Sequence, residues 1–263
     1  MKTFTAAELD QVADAYFDSF DMLAKLPGTR IERAPRGTCL VATGMLTPTT
    51  NGVCSPRRAA VVEEVAMLSA AMSGIGVPWS IQTRGEPAQS VLDVAASHGL
   101  TMRMELPLLL VDQADFVTKP AGDGKAVVHV ADVGRREEFL RVFTEGFGIP
   151  VEALGPFALP EVFDMPGYTA YVLEADGEPV ACGAALLSRE RVCLANITTL
   201  AEHRGRGYGR LVTEAAAGDG FAAGAHTAYL FASPDGLPLY ESMGFRTVED
   251  WSFLIADAPQ ESP

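Results

Sequence analysis

The stretch from Asn196 to Gly209, N-I-T-T-L-A-E-H-R-G-R-G-Y-G, constrains this chain more than any other. Val192 to Leu200 is a short run of β-favouring and apolar residues and reads as a strand. Arg204-Gly205-Arg206-Gly207-Tyr208-Gly209 follows, and Leu211, Val212, Ala215 and Ala216 then recur at helical spacing. A strand that breaks into a glycine-rich turn and opens a helix makes a phosphate cradle. The first N–H groups of such a helix lack intrahelical partners, and the helix dipole adds positive potential there. Glycines admit an anion close to the backbone, while Arg204 and Arg206 add charge and forked donors.

Three other readings fit these residues less well. An R-G-R-G run can bind nucleic acid, but such runs lie in low-complexity tracts without an abutting strand and helix. A dinucleotide fingerprint needs G-x-G-x-x-G with an acidic residue about 20 positions on, and the spacing here is G-x-G-x-G. A glycine turn with no ligand is the third. At these residues the chain resembles the GCN5-related N-acetyltransferase (GNAT) superfamily, whose acetyl-CoA signature, Arg/Gln-x-x-Gly-x-Gly/Ala, falls on Arg204, Gly207 and Gly209. A second family signature follows as Leu239-Tyr240-Glu241-Ser242-Met243-Gly244-Phe245, separated from the first by a helix and a strand.

The chain has 263 residues, 48% of them hydrophobic and 21% charged, enough for one large or two modest domains of ordinary globular composition. No apolar run reaches the 18 or so residues of a membrane span. The start leads into an acid-bearing amphipathic segment and does not read as a signal peptide. Cys39, Cys54, Cys182 and Cys193 form no C-x-x-C pair and read as reduced, buried thiols, which points to a cytoplasmic protein. The formal charge of −14 argues against a nucleic-acid surface and favours the approach of a cationic acceptor such as an amine.

Along the chain, Phe4 to Ala24 reads as a helix with a Thr5–Glu8 capping box, a Phe4–Leu9 staple and an apolar stripe including Tyr16, Phe17 and Phe20. Cys39 to Met45 reads as a strand, and Ser55-Pro56 as the cap and first residue of a helix. A strand over Pro78–Thr83, a helix over Pro87–Ser97 and a strand over Leu106–Val111 complete residues 1–114. Pro120, Gly122 and Gly124 mark a linker over residues 115–125. Residues 126–258 read as strand, two helices, three strands, helix, strand, helix and strand, with Asp176-Gly177 as a hairpin turn and 259–263 as a tail. That order resembles the GNAT fold, implying an α/β (α+β) class: a mixed central sheet flanked by helices, with the cofactor wedged where two strands splay.

The first half looks like a copy of the second. Asn51 and Asn196, Gly99 and Gly244, and Asp112 and Asp257 each lie 145 residues apart, with like patterns between. Where the second half has its glycine turn, the first has Ser55-Pro56-Arg57-Arg58-Ala59-Ala60, in which proline removes a donor and side chains replace glycines. Residues 1–114 therefore read as a degenerate GNAT-like domain that walls the acceptor pocket or mediates contacts in a homodimer.

The resemblance implies the site. Acetyl-CoA is the co-substrate and no metal is needed. Its pantetheine would run along Ile197-Thr198-Thr199, and its pyrophosphate would sit on Arg204, Gly205, Arg206, Gly207, Tyr208, Gly209 and Arg210, with Ser233 and Tyr240 as further contacts. The N–H of Thr198 would stabilise the oxyanion. Tyr240 matches the family's tyrosine acid, Asn196 would orient groups, and Glu145 is the first candidate for the base, since Val192–Leu200 holds no carboxylate. His203 and Glu202 read as exposed loop residues. Transfer of acetyl to a primary amine of a small or peptidyl acceptor, by direct attack in a ternary complex, is the leading reading. An acyl-CoA-binding sensor without turnover is the alternative.

Overall fold

The computed structural model describes residues 2–119 and 126–257, and eleven strands of these residues join one sheet. The first half runs α1 (Ala6–Ser19), β1 (Arg30–Arg33), β2 (Cys39–Ala42), β3 (Gly52–Cys54), α2 (Val62–Ser73), β4 (Ser80–Arg84), α3 (Gln89–Ser97) and β5 (Met102–Asp112). The second runs β6 (Ala126–Ala131), α4 (Arg136–Phe147), β7 (Tyr168–Ala175), β8 (Glu178–Ser188) and β9 (Arg191–Thr199). It continues through α5 (Tyr208–Ala222), β10 (Thr227–Phe231), α6 (Leu237–Glu241) and β11 (Arg246–Ile255).

Local signals account for most boundaries. Thr5 Oγ1 accepts from the Glu8 amide at 3.3 Å and Glu8 Oε2 accepts from the Thr5 amide at 2.8 Å, the reciprocal capping box that starts α1. Asp176 and Gly177, with φ of 52° and 84°, make the turn between β7 and β8, since the favoured two-residue hairpin needs both residues left-handed. Other expectations need correcting. The first helix tightens into a 3-10 run over Phe20–Lys25 and does not stay α-helical to Ala24. Ser55-Pro56 does not open α2, which begins at Val62, because the Pro56 carbonyl accepts from Arg84 Nη1 at 3.0 Å. The segment before β7 is two 3-10 pieces, Val151–Ala158 and Pro160–Asp164, the first broken at Gly155 with φ 50°.

The strand order is β1-β2-β3-β4-β11-β5-β10-β9-β8-β7-β6. Thus the last strand of each half lies among strands of the other: β11 pairs with β4 and β5, and β5 pairs with β10 and β11. A cut at 115–125 therefore divides the chain but not the sheet. Residues 120–125 of the expected linker, and the tail from 258, lie outside the described residues. Residues 116–119 are tied to the second half, since Val117 N–H donates to Met243 O at 3.0 Å and Lys119 N–H to Glu214 Oε1 at 3.0 Å.

Alternation along β7 shows how the sheet is covered. Tyr171 and Leu173 pack with Val212 and Ala216 of α5, whereas Ala170 and Val172 pack with Phe139, Leu140 and Phe143 of α4. The helices α5 and α4 thus lie on opposite faces. Where the halves meet, the buried Arg84 guanidinium makes a fork to Glu249 at 2.9 and 3.0 Å and reaches Asp10 at 2.5 Å. Paired donors and acceptors offset the desolvation of these charges. They clamp α1, β4 and β11 together.

Candidate active site

Two strands that part make the site. Parallel β9 and β10 are bonded over Arg191–Cys193 and Thr227–Tyr229 and then diverge, while β9 stays paired with β8 through Thr199. The register shift opposite Cys182–Ala184 places an extra residue in β9, and Asn196 takes it up with φ 58°, a left-handed value that asparagine tolerates. Beyond Cys193, β9 therefore presents a bulged edge to the opening.

Its amides are not phased as the sequence suggested. Leu200 N–H donates to Val180 O at 2.9 Å, and Thr198 is the cross-strand partner of Cys182. Alternation in an antiparallel ladder turns the amide of Thr198 toward β8 too, and turns those of Thr199 and Ile197 toward the opening. Thr199 O accepting from Arg204 Nε at 3.1 Å fits this phase. On this phase the amide turned toward the opening is that of Ile197, next to Thr198. The Thr198 side chain is covered by α4, for a Cβ at Gly146 would lie 2.5 Å from its Oγ1.

Below the opening, the turn from Gly205 to Gly209 leads into α5. Gly205 and Gly207 have φ of 76° and 86°, and a Cβ at either would meet nothing within 4 Å. Gly207 caps α5 with no side-chain bond, which leaves the amides of Tyr208, Gly209 and Arg210 without intrahelical partners beside the open space around Gly205 and Gly207. These features fit a bound phosphate. The arginines contribute differently from expectation. The Arg204 guanidinium ties the turn to Thr199 O and, at 3.2 Å, to Gly146 O. The Arg210 side chain is buried against Ser242, Glu214 and Val117 O, so only its amide faces the cradle. Arg206 is exposed, with one long contact to Glu202 O at 3.4 Å. Glu202 is exposed as expected, but His203 is half-buried, with Nδ1 shielded from solvent and without a partner.

A cavity of about 360 Å³ fills the opening. One wall is β9 from Cys193 to Ile197, with Asn196 in it, and the facing wall is Phe231, Ser233 and Tyr240. Ser233 Oγ also accepts from the Gly236 amide at 3.2 Å, fixing the start of α6. Tyr240 is 8% exposed, its ring sits edge-on to Phe245, and burial pushes its phenol up to about 12. Glu145 is not brought here. It lies on the exposed side of α4, paired with Arg141 at 3.2 Å, and does not line the cavity.

Much of the remaining wall comes from the first half, through Tyr16, Ser19, Phe20 and Leu23 after the capped start of α1 and Thr43, Met45, Thr49 and Thr50 after β2, and Phe147, Phe157, Leu186 and Phe253 of the second half add to it. The sequence singled out none of these side chains as cavity wall. Aromatic Tyr16 and Phe20 closing the α1 stripe were the available signal. Among the described residues, no Asp, Glu, Lys, Arg or His lines the cavity.

A mixed sheet flanked by helices, parted at one parallel pair above a glycine-capped helix, defines the GNAT fold. Residues 166–247 match the model of the acetyltransferase (GNAT) domain, spanning both strands of the opening and the cradle. Over nearly its whole length the chain is similar to a GCN5-related N-acetyltransferase from Kribbella flavida, with TM-score 0.70, 20% identity and 96% of each chain covered. It is similar also to a conserved protein of unknown function from Staphylococcus epidermidis, with TM-score 0.62, 11% identity and coverage of 88% of this chain and 95% of that one. A GNAT-family protein from Novosphingobium aromaticivorans aligns with TM-score 0.56, 16% identity and coverage of 91% and 97%. These identities establish a shared fold. No curated protein sequence matches the chain. Among the described residues no helix is long and apolar enough to cross a membrane.

Proposed function

We propose that this protein transfers the acetyl group of acetyl-CoA to a primary amine of a small or peptidyl acceptor, by direct attack in a ternary complex. The observation that carries the reading is the divergence of β9 from β10 directly above an open, glycine-lined helix start. Acetyl-CoA supplies an activated thioester carbonyl. The amides of the Gly205–Arg210 turn would hold its pyrophosphate, and the outward amides of Thr199 and Ile197 would pair with its pantetheine arm. The Ile197 N–H then donates to the negative charge that develops on the carbonyl oxygen.

Tyr240 faces the same space. A phenol near 12 stays protonated through the physiological range. A coenzyme A thiol resembles cysteine, with a reference pKa about 8.5, so the phenol is the weaker acid of the two. Tyr240 therefore acts best as a hydrogen-bond donor to the departing sulfur, passing on the proton that the amine nitrogen loses.

We further propose that residues 1–114 and 126–258 are two GNAT-like halves and that only the second binds cofactor. In the first, β3 and β4 stay paired over Gly52–Cys54 and Ser80–Gln82, and Ser55 N–H still donates to Gln82 O at 2.9 Å, so no gap opens there. Asn51, the counterpart of Asn196, is fully buried and spends its amide on Thr43, Met45, Thr47 and Pro78. Calorimetry with acetyl-CoA tests both points through the number of sites per chain, expected to be one. Release of free coenzyme A against an amine panel tests the transfer. Binding without release for any amine would leave an acyl-CoA-binding protein.

A further inference from the structure

The cavity at the opening is neutral although the chain is strongly acidic. The formal charge is −14, yet every described side chain on the cavity wall is uncharged. The acids of α1 do not reach it: Asp14 is held by Arg57 at 2.7 Å, and Asp18 by Arg33 at 3.4 Å and by Arg189. The titratable groups that do line it are Tyr16, Cys193 and Tyr240, and burial raises all three, Cys193 and Tyr240 to about 12. The cavity thus carries no charge across the neutral range. Its surface is largely aromatic and aliphatic, with Tyr16, Phe20 and Phe231 in edge-to-face contact and Phe253 beside Phe231.

We propose that the acceptor is an amine carried on an apolar, aromatic or branched aliphatic body, taken into this compartment as the neutral free base, and that polycationic amines are excluded. The inference rests on the acetyl-transfer reading and adds the substrate class. An ammonium group entering the cavity would lose its water and find no anion to pair with, whereas a neutral amine loses far less. A ring or branched chain gains contact with the aromatic wall. No side-chain base is needed once the amine is neutral. Its lone pair forms the C–N bond, the C–S bond breaks with its electron pair left on sulfur, and the proton lost by nitrogen ends on sulfur. The products are the amide and the coenzyme A thiol.

The test uses the full chain with acetyl-CoA and two acceptor classes, 2-phenylethylamine and isoamylamine against spermidine and kanamycin. Coenzyme A release should favour the apolar amines by roughly 100-fold or more in kcat/KM. For 2-phenylethylamine, log kcat/KM should climb with unit slope as pH rises toward the amine's own pKa. Thr49, half-buried on the cavity wall, allows a negative charge to be introduced: Thr49→Asp, or Thr50→Asp if the first variant fails to fold, should shift the preference toward spermidine by roughly tenfold or more. Equal or better use of the polycations, or a flat profile below the amine's pKa, would overturn the proposal. If acetyl-CoA itself fails to bind, the transfer reading falls and takes this one with it. If it binds and neither class turns over, calorimetry of each amine against the coenzyme A complex decides. Tighter binding of the apolar amines then upholds the pocket's selectivity, and tighter binding of the polycations refutes it.

Discussion

Alanine at Gly207 separates what the turn does for the fold from what it does for the cofactor. Gly207 has φ 86°, and a Cβ there meets nothing within 4 Å, so the substitution brings strain but no collision. A left-handed alanine costs about 1–2 kcal/mol. For a chain of this size that lowers Tm by roughly 2–8 °C. Gly224, just past the other end of α5, is a matched control, with φ 100° and equally open space. Both variants should therefore lose similar stability. Only at Gly207 does the new methyl stand before the amides of Tyr208, Gly209 and Arg210. A lost hydrogen bond to a charged phosphate is worth about 1.5–3 kcal/mol. Acetyl-CoA should then bind Gly207→Ala roughly 10- to 100-fold more weakly, and Gly224→Ala within about twofold of wild type. Thermal unfolding and calorimetric titration on the three proteins give all the numbers. Unchanged affinity in Gly207→Ala, or equal weakening in both variants, would refute the phosphate role.

Three further outcomes are expected. Tyr240→Phe keeps the ring against Phe245 and removes only the donor, so kcat should fall roughly 10- to 100-fold with the acetyl-CoA Kd little changed; parallel loss of both would place the hydroxyl on the bound thioester instead. Thr5→Ala should cost about 1 kcal/mol at pH 7 in urea unfolding. The Thr5 amide, Lys2 and the Thr5 hydroxyl hold the Glu8 carboxylate down to about 2 from 4.5, and the variant loses only the hydroxyl's share; the difference between variant and wild type should therefore shrink in part, and not vanish, as pH falls from 4.5 toward 2, because the Glu8 amide to Thr5 Oγ1 bond is independent of that charge. A chain truncated to begin at residue 123 loses β4 and β5, which bares one edge of β10 and leaves β11 with neither partner, so size-exclusion chromatography should show aggregates, and a soluble monomer that binds acetyl-CoA would contradict the exchanged-strand account.

Much of the site could be read locally because its parts are neighbours in the chain. The strand to Thr199, the glycine turn and α5 are one continuous segment, and turn chemistry and helical period act over a few residues at a time. The same holds for the Thr5–Glu8 cap, the Asp176-Gly177 hairpin and Tyr240 on α6, all found where their residue types place them. What escaped the sequence depends on partners far away in it. Ladder phase against β8, set by the Leu200–Val180 bond and the Thr198–Cys182 pairing, is what turns the Ile197 amide toward the opening. Long side chains have several carbonyls in reach, and Arg204 took Thr199 and Gly146. The exchange of β5 and β11 between halves, and with it the delivery of Phe253 and α1 to the cavity, joins residues up to half the chain or more apart. Net charge is a sum over the whole surface, whereas the sign of a cavity is set by the few side chains that packing turns inward. Here packing turned Asp14 and Asp18 of α1 to arginines and left neutral groups on the cavity wall.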